Sequence, residues 1–234
     1  MSTIFLNLQQ VRARIARACA QAARPPHSVT LLTVSKTHPA SCVRDAFDAG
    51  ERAFGENYVQ EGVAKIAALA ELRAHMQWHL IGPLQSNKTR VVAEQFDWVH
   101  SIDRLSLAQR LSDQRPAHLP PLQLCLQVNL SGEASKSGMA AADVWDVARA
   151  VAALPRLRLR GLMSIPEPAA DLAAQRAPHA QLRELLATLQ QRGLPLDTLS
   201  MGMTADLEAA IAEGATLVRV GTAIFGARDA PDRH

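Results

Sequence analysis

The sequence is poor in tyrosine, in cysteine and, near its start, in acid, and each shortage narrows the reading. Aromatic residues make up 4% of the 234 residues, and Tyr58 is the single tyrosine. A nucleic-acid surface built on stacking has little to draw on, and a net charge of +3 is weak support for one. The three cysteines, Cys19, Cys42 and Cys125, form no CxxC pair and are odd in number. That usage fits ordinary thiols in a reducing cytoplasm rather than a disulfide framework. Eight histidines show no HExxH or paired spacing, which argues against a metal site. No stretch approaches the roughly 18 apolar residues of a membrane span, and apolar runs near the start are too short for a secretory leader. No G-x-G-x-x-G follows a strand, which counts against a dinucleotide fold.

Residues 1 to 44 contain Arg12, Arg14, Arg17, Arg24, Lys36 and Arg44 and no acid. An acid-free, arginine-bearing start has two readings, a transit peptide or a first amphipathic helix. Ile4, Leu8, Val11 and Ile15 fall on one helical face with the arginines elsewhere, and an apolar strand follows almost at once. The helix is the preferred reading.

What is present is alternation. Short apolar runs at 30–35, 52–55, 77–81, 98–101, 123–129, 158–163, 198–201 and 217–220 read as strands. Between them lie Ala-, Leu- and Arg-rich stretches of helical period at 39–49, 58–75, 83–95, 104–114, 140–154, 172–192 and 204–213. Strand and helix in unbroken alternation mean parallel strands with crossover helices, and eight such units after an initial helix predict a closed (β/α)8 barrel of TIM type. An open doubly wound sheet is the structural alternative. With no Ser- or Gly-rich linker, residues 1–234 read as a single domain, its polar end at 229–234 a disordered tail.

In such a barrel the ligand site lies where strands end and βα loops begin. Strand one ends in VSKTHP, strand two in FGENYVQE, strand three in WHLIGPLQSNK and strand five in QVNLSGEASKSG. Strands six, seven and eight end in RGLMSIP, LSMGMT and VRVGTAIFG. Ser200, Met201 and Gly202 after strand seven, and Gly221 and Thr222 after strand eight, put small residues and hydroxyls in the two loops where barrels often bind phosphate. Turns and helix caps explain either segment alone; the two together favour phosphate. Lys36 is a lone ammonium closing an apolar strand. Desolvation disfavours the charged form of such a lysine and frees its amine to attack a carbonyl. An ordinary strand-end lysine, reaching water or paired with an acid across the barrel mouth, is the alternative. An aldehyde for the lysine and a phosphate for the turns are combined in one ligand, pyridoxal 5′-phosphate (PLP).

These segments, together with SMGMTADLEAAIAEGATLVRVGTAIFGAR, resemble the YggS/PROSC family of pyridoxal phosphate homeostasis proteins, from the first helix to about Arg228. The resemblance implies a barrel like the N-terminal domain of alanine racemase that holds PLP as a lysine aldimine and serves intracellular vitamin B6 homeostasis. By motif match Lys36 is the aldimine lysine. Ser200, Gly202, Gly221 and Thr222, with Met201 between them, hold the phosphate. Arg219 approaches the pyridine nitrogen, and Asn57, Tyr58, His79, Met163 and Ser164 line the pocket. Lys136, in SKSG, resembles a second lysine implicated in handling PLP outside the aldimine. One departure is His38, where the family often carries a second lysine, so a second amine at that position is in doubt here.

Arg219 also bears on activity. A guanidinium stays charged and cannot take the proton that makes the pyridine ring a strong electron sink. Racemases of this fold tolerate such an arginine but need two opposed bases, or one base with access to both faces, and Lys36 is the one identifiable from the residues. A PLP-binding protein without efficient catalysis is therefore expected, delivering PLP to PLP-dependent apoenzymes, acting as a monomer in the cytoplasm, with no nucleic-acid or membrane partner. A weak amino-acid racemase is the alternative, and a sugar-phosphate aldolase using Lys36 is the more distant one. Trp78, Trp98 and Trp145 read as packing residues. Arg156, Arg158 and Arg160 read as lying between barrel and helices or capping the lower end.

Overall fold

A computed structural model describes residues 2–131 and 137–226. The first helix, α1 (Thr3–Gln21), starts at Ser2, whose side chain accepts the Phe5 N–H at 3.3 Å. Leu8, Val11, Ile15, Ala18 and Cys19 are its buried stripe. Two of its arginines find acids elsewhere in the fold: Arg12 bonds Glu51, and Arg14 grips both oxygens of Glu208 at 2.7 Å. The cations of the acid-free segment are in part structural.

Eight parallel strands follow: β1 (Thr30–Val34), β2 (Ala53–Glu56), β3 (Gln77–Leu80), β4 (Trp98–Ile102), β5 (Leu122–Asn129), β6 (Leu157–Met163), β7 (Thr198–Ser200) and β8 (Leu217–Val220). Each pairs with its sequence neighbour. β1 pairs with β8 and β4 with β5, so the sheet has no open edge and closes into a barrel. All eight strands lie within one residue of their expected bounds. The helices between them are α2 (Ala40–Asp48), α3 (Val59–Ala68), α4 (Thr89–Gln95), α5 (Leu105–Gln114), α6 (Val144–Ala152), α7 (Leu172–Gln191), α8 (Leu207–Ala212) and α9 (Thr222–Phe225).

Several details depart from the sequence reading, among them the helix expected over 83–95, which starts only at Thr89 after a 3-10 turn, Ser86–Lys88. The helix expected over 58–75 ends at Ala68, and a 3-10 turn, Ala70–His75, completes the crossover. Leu69 leaves helical geometry there (φ −118°, ψ 29°) and is itself buried. A two-residue strand, Met139–Ala140, pairs with the end of β5, and the short α9 follows β8. Both are too short for periodicity to reveal. The tail at 229–234 and Lys136 lie outside the described residues.

Most of the core lies between strands and helices, built from residues such as Phe54, Trp78, Phe96, Leu107 and Leu126. A smaller cluster of Leu32, Val34, Ala53, Ile81 and Leu217 fills the barrel interior. Successive strand residues alternate faces, so Lys36, two residues beyond Val34, continues the inward row of β1 and emerges at the mouth. Trp78 is fully buried beside Phe54, and Trp145 lies under Arg192.

Candidate functional site

The mouth, where the strands end, holds a cavity of about 280 Å³. Lys36 after β1, Asn57 after β2, Arg219 on β8, and Gly221 and Thr222 after β8 line it together. Residues far apart in sequence thus meet because all stand at the same end of a closed parallel sheet.

Lys36 sits in a tight turn. The His38 N–H donates to the Ser35 carbonyl at 3.1 Å, and Thr37 between them adopts φ 67°. A left-handed backbone is unusual for a β-branched residue and needs surrounding contacts to hold it.

Two glycines shape the opposite wall. Gly202 has φ 89°, and a Cβ there would collide with the Ala210 side chain on α8. A Cβ on Gly221 would stand 2.8 Å from the Val34 carbonyl. Neither turn tolerates a side chain. After Gly221 the first N–H groups of α9 have no helical acceptors, as at any helix start. The Met203 N–H donates to Asp206 at 2.6 Å, and Asp206 in turn bonds the buried His179 at 2.9 Å. Burial would raise the Asp206 carboxyl, but these two bonds hold it below its ordinary value.

Arg219 is 4% exposed, and its bonds among the described residues go to neutral oxygens. Nη1 donates to the Ser200 carbonyl at 2.6 Å and hydroxyl at 2.8 Å, and Nη2 donates to the Ser164 carbonyl at 2.8 Å. Burial lowers the guanidinium to about 10, so it remains charged at neutral pH. A polar column runs below it. His100 Nδ1 lies 2.8 Å from the Ser200 hydroxyl, and His79 Nδ1 lies 2.9 Å from His100 Nε2. Trp98 stacks on His79 with ring centroids 5.2 Å apart, and Arg160 caps Trp98 at 5.0 Å. Burial pushes His79 down to about 3, and burial with repulsion from His79 and Arg219 pushes His100 well below its ordinary value. Both imidazoles are neutral.

The expected site residues therefore do not all share one place. Lys36, Asn57, Arg219, Gly221 and Thr222 line the mouth cavity, and Ser200, Met201 and Gly202 form the turn behind it. Ser164 lines an adjoining cavity of about 330 Å³, divided from the first by Ile165. Tyr58 is 59% exposed and caps α3 outside the cavity lining; His79 and Met163 are buried, His79 reaching Arg219 through His100 and Ser200. The sequence reading missed His100, Ile165, Met203 and Thr204. Met203 and Thr204 belong to the LSMGMT segment already singled out. His100 follows Trp98 by two residues, but an inward histidine is recognisable only once the face of β4 is known.

Two polar atoms test whether this site fits PLP. The Asn57 Oδ1 and Ser164 Oγ atoms are buried with no partner among the described residues. An unpartnered buried polar atom is costly, and one beside a cavity is satisfied when a polar ligand enters. With an amine at one wall, side-chain-free turns at the other and a guanidinium between, the residues fit an aldehyde-bearing aromatic phosphate.

The alanine racemase N-terminal domain model matches residues 6–229. A curated relative from Pseudomonas aeruginosa, the Pyridoxal phosphate homeostasis protein, is 64% identical over 229 residues, covering 98% of this chain and 97% of its own. The solved structure of PipY from Synechococcus elongatus with PLP bound has a TM-score of 0.80 and 44% identity, covering 91% of this chain and all of that one. Alanine racemase from Corynebacterium glutamicum shares the fold, with a TM-score of 0.65 at 17% identity over 62% of its length.

Proposed function

Because the chain belongs to the family of pyridoxal phosphate homeostasis proteins, we propose that it holds PLP reversibly at the barrel mouth, covalently through Lys36, and serves intracellular PLP homeostasis without efficient catalysis of its own. The observation that carries this reading is the convergence of Lys36, Arg219, Gly221 and Thr222 on one cavity. PLP, when bound, supplies an aldehyde for the lysine amine and a phosphate for the turns. Lys36 enters from the β1 wall. Gly202, Gly221 and Thr222, with the N–H groups at the start of α9, bind the phosphate. Arg219, held by Ser200 and Ser164, donates to the ring nitrogen. Asn57 and Ser164 orient the polar substituents, and Lys136 assists PLP transfer outside the covalent site.

The reading of weak catalysis rests on the want of an identified second base opposite Lys36, to which Arg219 adds a weak electron sink. A buried guanidinium at about 10 keeps its proton at neutral pH and transfers none to a ring nitrogen. Among the described residues lining the mouth cavity there is no carboxylate. Weak amino-acid racemase activity is the second reading, favoured by one observation: His38 lines the same cavity as Lys36 and could serve as a second base. No helix among the described residues is long and apolar enough to cross a membrane. The cytoplasm is the proposed site of action, on the strength of cysteine usage suited to reducing surroundings. Acting as a monomer, the protein would pass PLP to PLP-dependent apoenzymes.

The deciding experiment is borohydride trapping followed by peptide mass spectrometry. The wild-type protein is expected to carry the pyridoxyl mass on Lys36. Lys36→Ala is expected to lose the visible band and the label while retaining weaker, phosphate-anchored binding. A wild-type protein that stays unlabelled in excess PLP refutes the reading, and turnover of amino-acid enantiomers would favour the racemase.

A further inference from the structure

A second charged cluster lies behind the β1 wall, outside the mouth cavity, and touches the residues on both sides of Lys36. Lys65 on α3 is 5% exposed, and its Nζ makes three bonds. It donates to the Ser35 carbonyl at 2.6 Å, to Glu56 Oε1 at 2.7 Å and to Glu61 Oε1 at 2.7 Å. The two carboxylates then reach the chain around Lys36. The Ser35 hydroxyl donates to Glu56 at 2.5 Å, and the Thr37 N–H donates to Glu61 at 2.5 Å. One buried ammonium thus couples the residue before Lys36 to the residue after it.

Stapling α3 to the barrel does not explain this placement. Buried ion clusters are costly to desolvate, and apolar residues of similar volume often do as well for stability. Glu56 shows that cost directly: burial raises its carboxyl above the ordinary range, and its Oε2 has no partner among the described residues. What an apolar replacement could not do is accept the Thr37 N–H and hold a β-branched residue at φ 67°. Without that acceptor the turn is free to return to the right-handed or extended regions, and the Lys36 side chain changes direction with it.

We propose that Glu56, Lys65 and Glu61 are positioning residues that fix the backbone on either side of Lys36, so that its amine enters the mouth in one orientation. The proposal deepens the PLP reading and rests on Lys36 as the attachment residue. It implies that Glu61, which is outside the cavity lining, controls how fast the lysine is captured.

The test uses Glu61→Ala, Glu61→Gln and the unaltered full-length protein, at a temperature where all are folded by circular dichroism. PLP is added, samples are quenched with borohydride at intervals, and label on Lys36 is followed by peptide mass spectrometry. Amide exchange at Thr37 is measured separately by NMR without PLP. Glu61→Ala is expected to label about tenfold or more slowly, since small misplacements of a reacting group carry penalties of that order. Its Thr37 amide is expected to exchange faster. Glu61→Gln keeps an acceptor for the amide and is expected to restore labelling to near the wild-type rate. Glu61→Leu, which keeps side-chain volume but removes the acceptor, gives the same readouts if Glu61→Ala fails to fold. Labelling of Glu61→Ala at the wild-type rate, whatever its stability or amide exchange, overturns the proposal and leaves the PLP reading standing. Absence of label on wild-type Lys36 refutes the PLP reading itself and the proposal with it.

Discussion

Two arginines point into the same barrel from opposite ends, and their surroundings differ. Arg160, on β6 toward the end where the strands begin, binds Asp197 through two nitrogens at 2.9 and 2.6 Å and Gln123 at 3.0 Å, and covers Trp98. Arg219, near the mouth, bonds the Ser200 and Ser164 oxygens and no carboxylate among the described residues. The lower end is closed by a direct ion pair; at the mouth the buried guanidinium hydrogen-bonds neutral oxygens and feels the Asp206 carboxylate only through space. A barrel needs its interior filled, but one end can be completed by its own side chains while the other stays incomplete until something binds. The unpartnered Asn57 and Ser164 oxygens stand at the incomplete end.

The column that joins the two ends gives the largest expected effect. His79 is held at about 3 and His100 well below 6.5 by burial, while in the unfolded chain both return to about 6.5. Between those values the unfolded state binds more protons, so stability rises with pH there. Their contribution is complete above about pH 6.5 and is lost as pH falls toward 3, at up to about 1.4 kcal/mol per pH unit for each histidine. Urea denaturation between pH 7 and 4 checks this. A His79→Gln protein with an unchanged slope would show that the column does not set acid stability.

A smaller effect separates the two arginines. Arg160→Met is expected to cost about 1–2 kcal/mol, reduced from a fully buried pair because Asp197 is half exposed, and to leave PLP affinity unchanged. Arg219→Met is expected to cost at least as much in stability, since it leaves the buried Ser200 and Ser164 oxygens without their donor, and also to alter both PLP affinity and its visible spectrum. Thermal unfolding with and without PLP measures both. Equal effects of the two substitutions on PLP would erase the distinction between the ends. The smallest expected effect is that of Thr222→Ala, which should weaken PLP by about 1.5 kcal/mol, the lower end for one hydrogen bond to a charged group. Equilibrium titration decides it, and an unaltered affinity removes Thr222 from the phosphate site.

Much of the site was legible because barrel ligands sit at strand ends, and strand ends are visible as the points where apolar runs stop. Lys36, Gly221 and Thr222 were identifiable on those grounds, and the structure places all three on one cavity. Tyr58 shows the limit of the same rule: it also follows a strand, yet it starts a helix and faces outward. His100 was missed because polar residues on a barrel strand can face either layer, and sequence alternation alone does not say which.

The sequence alone determined the order of elements, their parallel strand–helix alternation and the residues at the strand ends, because these depend on local periodicity and on where each apolar run ends. Only the tertiary structure decided which polar groups meet. His100 and Ser200 are 100 residues apart, and their bond exists because β4–β5 pairing closes the sheet and brings β4 and β7 to face each other across the interior. The clamp from α3 onto Ser35 and Thr37 has the same origin. Its members are near in sequence, but their bonds need the register of β1 against β2 and the seat of a helix on the barrel, neither of which is encoded in local pattern.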